Sequence, residues 1–104
     1  MFEFYPSVRS WYAGHLSSHS RVVIDDAALI PAAVAIVVTK SAHNDEACFL
    51  LTRRAKGLTR HSGQYALPGG RLEPNESTEM AALRELEEEL GLTASISQVA
   101  GQLD

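Results

Sequence analysis

GRLEPNESTEMAALRELEEELGL, residues 70–92, is the stretch on which the reading of this chain turns. It sets Glu76, Arg84, Glu85, Glu88 and Glu89 between Gly70 and Gly91, and carboxylates fill positions 85, 87, 88 and 89. Glu85, Glu88 and Glu89 stand at i, i+3 and i+4, within about 100° of one helical face. Like charges so spaced repel and weaken a helix by about 0.2–0.5 kcal/mol per pair. A divalent cation is the simplest agent to offset that repulsion; the bland alternative is a solvated acidic face. Asn75 or Ser77 can cap the helix, with Glu76 and Glu79 suited to its first turn. Gly91 can take the left-handed position that ends it after Leu90. Leu83, Leu86 and Leu90 form an apolar stripe roughly 135° around the axis from the carboxylates. One side is therefore expected to pack on a sheet while the other faces a cleft.

Outward from the helix, the chain reads as alternating elements. Pro6-Ser7 followed by Val8, Trp11, Tyr12 and Leu16 predicts a short helix within residues 1–16. Residues 32–39, AAVAIVVT, lack alternation and predict a strand buried on both faces. A turn is expected at 41–46, around Asn44-Asp45, and a second strand at 47–54 that pairs with the first as a hairpin. Residues 64–67 predict a short strand stopped by Pro68-Gly69-Gly70, and residues 94–103 another strand. The expected fold class is α/β, a single domain over residues 1–104.

The bulk numbers narrow the function. At 104 residues, with 45% hydrophobic residues, there is material for one core. A net charge of −4 argues against a nucleic-acid surface but not against a phosphate substrate, because bound cations invert the local field. The single cysteine, Cys48, excludes an internal disulfide and points to a reducing, cytoplasmic setting. Its apolar neighbours place it in the core. The apolar run 27–38 is too short to span a bilayer, so no membrane partner is expected.

The pattern of residues 70–92 resembles the Nudix box. Each fixed position is filled: Gly70, Glu76, Arg84, Glu85, Leu86, Glu88, Glu89, Gly91 and Leu92. At average residue frequencies the polar and glycine positions would coincide on the order of once in 10⁸ starts. The resemblance implies an α/β/α sandwich with a mixed sheet. It also implies hydrolysis of a nucleoside diphosphate linked to another moiety, with Mg2+ or Mn2+ as cofactor. In that family the metal is held by groups corresponding to Glu85, Glu89, often Glu88, and the carbonyl of Gly69. Arg84 pairs with Glu76 and orients the ligating carboxylates. Glu85 or Glu88 is a candidate for the base that takes a proton from the attacking water, although family members also recruit a glutamate from a later loop. Gly70 is carried over as a substrate-side position. A Nudix fold that binds without cleaving is the rival reading.

Upstream, residues 50–70 read LLTRRAKGLTRHSGQYALPGG. This is similar to the additional motif of the coenzyme A pyrophosphatase branch of the family, matched at Leu50, Leu51, Thr52, Arg54, Ala55, Gly63, Pro68, Gly69 and Gly70. Two positions depart: Thr59 stands for an arginine, with Arg60 beside it, and Leu67 stands for a phenylalanine. The resemblance implies cleavage of coenzyme A or an acyl derivative to 3',5'-ADP and 4'-phosphopantetheine. ADP-ribose, dinucleoside polyphosphates and oxidised nucleotides are the alternative substrates, and Thr59 keeps them open. Arg53, Arg54, Lys56 and Arg60 cluster in an otherwise acidic chain, and Arg54 and Arg60 are the candidates for phosphate contact. His61 reads as a loop hydrogen-bonder rather than a catalyst.

A Nudix domain usually runs well past its box, and this sequence stops twelve residues after it. The expectation is an incomplete domain whose missing strands would leave edges open to homodimer formation or swapping, or a non-catalytic binding module.

Overall fold

The computed structural model describes Phe4, residues 7–53 and residues 63–104. Its elements follow the order α1 (Val8–Ser17), β1 (Ala32–Val34), β2 (Val38–Lys40), β3 (Ala47–Phe49), β4 (Thr52–Arg53), β5 (Tyr65–Ala66), β6 (Gly69–Arg71), α2 (Thr78–Leu90) and a 3-10 turn at Ile96–Gln98. The architecture is α/β, with α2 laid on the β1–β6 pair.

The run 32–39 is not one strand. It divides into β1 and β2 because its halves bond to different partners. β1 pairs antiparallel with β6, Ala33 opposite Gly70 and Val34 opposite Gly69. The pairing extends at both ends, through Leu72 N–H to Pro31 O (3.1 Å) and Ala35 N–H to Pro68 O (2.8 Å). β2 instead pairs antiparallel with β3. The run is not buried on both faces either: Ala33, Ala35 and Val37 are half-buried while Val34 and Ile36 are exposed. That is the period-2 signature of a one-sided strand, hidden in the sequence because both faces carry apolar side chains.

The 41–46 turn forms as the side chains dictate. Asn44 Oδ1 accepts from Glu46 N–H (2.9 Å), Ser41 Oγ accepts from His43 N–H (3.2 Å), and Ser41 N–H closes on Glu46 O (2.9 Å). The hairpin it joins is β2–β3, and Cys48 on β3 is exposed, not in the core. β4 and β5 pair antiparallel, with Thr52 Oγ1 donating to Ala66 O (3.0 Å).

β5 stops at Ala66, short of Pro68-Gly69-Gly70 as expected, but a new strand begins at the glycines. Pro68 is fully buried, and Gly69 and Gly70 open β6. Gly69 is needed there because a Cβ would sit 2.7 Å from Val34 Cα. The strand pairs among the described residues are antiparallel throughout, in three two-stranded ladders rather than one mixed sheet.

The 94–103 segment holds a 3-10 turn where a strand is expected. Ser95 and Gln98 form a reciprocal capping box, with Ser95 N–H donating to Gln98 Oε1 (3.0 Å). Short polar side chains that bond nearby backbone compete with a strand ladder, and here they win. The segment lies against α1: Arg9 Nη2 donates to Ser97 O (2.5 Å), and Gly101 sits so close to Leu16 that a Cβ would meet it at 2.6 Å. Asp104 Oδ1 accepts from Val22 N–H (2.8 Å) and meets His19 Nε2 (2.9 Å), which together hold its carboxyl below the usual range. No helix among the described residues is long and apolar enough to cross a membrane.

Candidate functional site

The site is built from α2 and the turn that leads into it. Glu73 and Glu76 close that turn reciprocally: Glu76 N–H donates to Glu73 O (3.1 Å), and Glu73 N–H donates to Glu76 Oε1 (3.0 Å). Asn75 serves the turn and not the cap. Its φ of 62° lies in the left-handed region that asparagine tolerates better than most residues. The cap falls to Ser77, whose hydroxyl accepts from Met80 N–H at 3.1 Å. At the other end Gly91 takes φ 69° and donates to Glu87 O (2.8 Å).

The stripe positions the helix. Leu86 is 3% exposed and Ala81 fully buried, Leu83 and Leu90 are half-buried, and Glu88 and Glu89 on the other side are exposed. With α2 fixed on β1 and β6, Glu85 comes against the glycine strand. A Cβ on Gly70 would stand 2.5 Å from Glu85 Oε1 and 2.7 Å from Cδ, so only glycine leaves the carboxylate its place.

Arg84 is the hub. Its Nε donates to Glu76 Oε2 (2.8 Å) and its Nη2 to Glu76 Oε1 (2.9 Å), a two-pronged carboxylate clamp. Nη2 also donates to Arg71 O (3.1 Å), and Nη1 donates to both Glu85 Oε1 (3.0 Å) and Glu88 Oε2 (3.2 Å). Glu73 adds a looser ion pair at 3.7 Å. The Arg84 hydrogen bonds, then the Glu73 N–H, hold the Glu76 carboxyl down to about 2, while the hydrogen bonds to Glu76, then that to Glu85 and the charge of Glu73, push the guanidinium pKa upward.

Of the residues singled out from sequence, the structure brings Glu76, Arg84, Glu85, Glu88 and Gly70 into one cluster. Gly69 stands beside it in β6 as the partner of Val34, and Glu89 lies exposed on the next step of α2. Arg54, Arg60, Thr59, Lys56 and His61 lie outside the described residues. Arg53 is engaged locally: its Nε donates to Gly63 O (3.1 Å) and its guanidinium lies 5.5 Å from the Tyr65 ring centre. The roles of Glu73 and of the Arg71 carbonyl escape sequence reasoning. Glu73 has no distinguishing spacing, and every residue carries the same backbone carbonyl.

The donor chemistry suits a hard divalent cation, since Glu85, Glu88 and Glu89 offer carboxylate oxygens on one face of a capped helix beside a glycine backbone. Among the described residues, however, no three His, Cys, Asp or Glu side chains stand together ready to hold a metal ion. The Glu76, Glu85 and Glu88 carboxylates converge on the Arg84 guanidinium.

Known proteins are similar to this chain in sequence or in fold. The family model for the NUDIX domain matches residues 29–104. The uncharacterized Nudix hydrolase NudL of Yersinia pestis (strain Pestoides F) is 48% identical over 59 residues, covering 56% of this chain and 30% of that protein. NudL of Yersinia pseudotuberculosis serotype O:1b (strain IP 31758) matches to the same extent. The match thus spans about a third of the length of these curated relatives. Among solved structures, RenU, a Nudix hydrolase from M. Smegmatis, is similar at TM-score 0.52 and 33% identity over 61% of this chain and 39% of that one. A MutT/nudix family protein from Enterococcus faecalis is similar at TM-score 0.57 and 25% identity over 91% of this chain and 39% of that one. The α/β fold is Nudix-like, and with the family model covering the helix, the glycine strand and the carboxylate cluster between them, the chain belongs to the Nudix family.

Proposed function

We propose that this domain hydrolyses a diphosphate bond in a nucleoside diphosphate linked to another moiety, with Mg2+ or Mn2+ as cofactor. The observation that carries the reading is the complete box on a capped helix, with Glu85 seated against Gly70 and Arg84 gripping Glu76. Glu85, Glu88 and Glu89, with the Gly69 carbonyl, are the residues that would hold the cation. When bound, it would neutralise phosphate oxygens and lower the pKa of a water. The chain's own residues do the rest. Arg84 fixes the direction in which Glu85 points, the anchored turn at 73–76 fixes Arg84, and Glu85 or Glu88 accepts the proton of the attacking water.

For the substrate we favour coenzyme A or acyl-coenzyme A, cleaved to 3',5'-ADP and the corresponding 4'-phosphopantetheine, with Arg54 and Arg60 contacting phosphate. The support is the 50–70 motif. Thr59, where that motif carries an arginine, favours a second reading: ADP-ribose, a dinucleoside polyphosphate or an oxidised nucleotide.

The test is to incubate the protein with coenzyme A, ADP-ribose and diadenosine tetraphosphate, with and without Mg2+ or Mn2+, beside Glu89→Gln. Metal-dependent cleavage of coenzyme A that Glu89→Gln abolishes is the expected result. Cleavage of another substrate alone would retain the chemistry and overturn the coenzyme A assignment. Cleavage of none, here and in a chain extended past Asp104, would overturn both and leave a binding or oligomerisation module.

A further inference from the structure

Arg84 uses all five of its N–H donors, and they divide into two groups. Three of them, on Nε and Nη2, hold Glu76 and the Arg71 carbonyl, which belong to the strand and turn before α2. The other two, both on Nη1, reach Glu85 Oε1 and Glu88 Oε2. A guanidinium already matched by a two-pronged carboxylate does not need two more. Glu85 and Glu88, three residues apart on one helical face, do need a positive charge between them. The contacts of the guanidinium also differ in hold. Glu76 and Glu85, at 2.8 to 3.0 Å, have side chains only 13% and 16% exposed, whereas the Glu88 contact is the longest of the five and its side chain is 56% exposed. A solvent-facing i,i+4 pair of that kind is readily given up.

We propose that Arg84 Nη1 is a placeholder cation. It bridges Glu85 and Glu88 in the metal-free protein and releases Glu88 when a divalent cation binds, while its bond to Glu85 holds and the Nε/Nη2 edge stays anchored on Glu76 and Arg71. This rests on the metal-dependent reading above and adds a competition to it. A guanidinium and a divalent cation repel each other across the same two carboxylates, so Arg84 restrains cation affinity while keeping the metal-free helix intact. If Arg84 served only to orient the carboxylates, its loss would weaken cation binding about ten- to a hundred-fold.

The two roles predict opposite signs. Free-Mn2+ electron paramagnetic resonance would give the Mn2+ affinity of the wild type and of Arg84→Gln. The variant is expected to bind Mn2+ at least as tightly as the wild type and to show the larger rise in Tm on adding Mg2+. Binding weakened tenfold or more would overturn the proposal. The wild type provides a reading that needs no variant to fold. In arginine side-chain 15N NMR, saturating Mg2+ should shift the Arg84 Nη1 signals and leave the Nε signal in place. Bound Mg2+ with unchanged Nη1 signals would overturn the placeholder alone, and no Mn2+ or Mg2+ binding by the wild type would overturn the metal-dependent function along with it.

Discussion

Gly70→Ala separates activity from stability at this site. A Cβ at position 70 would lie 2.5 Å from Glu85 Oε1, 2.7 Å from Cδ and 3.1 Å from Oε2, against the 3.4 Å at which ordinary contact begins. The Glu85 carboxylate must therefore retreat by about 0.9 Å, enough to break its 3.0 Å bond to Arg84 Nη1. The obstacle is the end of a flexible side chain that is not fully buried, so the fold absorbs the change. Alanine in place of glycine in a strand also returns about 0.5–1 kcal/mol. Unfolding free energy should thus change by less than about 1 kcal/mol. A displacement of about 1 Å in a catalytic group can cost about 10²-fold in rate, and a loss of that order in metal-dependent diphosphate hydrolysis is expected. Urea unfolding and a turnover assay on the same preparation check both halves. Gly91→Ala is the contrast: at φ 69° with nothing within 4 Å, it should cost about 1 kcal/mol in stability and leave turnover unchanged. Turnover by Gly70→Ala within threefold of wild type, or a loss of activity that follows a stability loss above about 2 kcal/mol, would refute the reasoning.

Three further outcomes are expected. Leu86→Ala, at the best-buried stripe position of α2, should lower unfolding free energy by about 2–5 kcal/mol in urea titrations. Ser77→Ala should cost about 1 kcal/mol by the same measure through loss of the cap on Met80 N–H, and Ser77→Gly less. The Glu76 carboxyl, held down to about 2 from 4.5, stabilises the fold fully above about pH 4.5, and that contribution is lost as pH falls towards 2. The stability gap between wild type and Glu76→Gln should therefore be widest near neutrality and narrow steadily below pH 4.5; a gap independent of pH would exclude the ion pair as its source.

Local rules and long-range contacts contributed differently to what could be read. The 41–46 turn and the limits of α2 follow from side chains that bond or shape backbone within a few residues, as Asn44, Ser77 and Gly91 do. Residues 94–103 are a local miss: Ser95 and Gln98 carried a capping signal that apolar spacing masked. Residues 32–39 are a different kind of miss. Nothing within AAVAIVVT states that its first half bonds to β6 and its second to β3. Cys48 follows from the same ambiguity, since a run apolar on both faces does not say which face is covered.

The candidate site divides along the same line. Sequence alone placed Glu85, Glu88 and Glu89 on one face of a capped helix and the leucine stripe on another, because the 3.6-residue period fixes angles around an axis without reference to anything else. Only tertiary structure decided that Glu85 would rest on Gly70, that the Arg71 carbonyl and Glu73 would join the arginine's partners, and that Nη1 would lie between Glu85 and Glu88. Those arrangements depend on how α2 is laid across β1 and β6. That placement is set by burial of Ala81 and Leu86 and by backbone pairing between segments more than thirty residues apart, a sum of contacts that no single stretch of sequence contains.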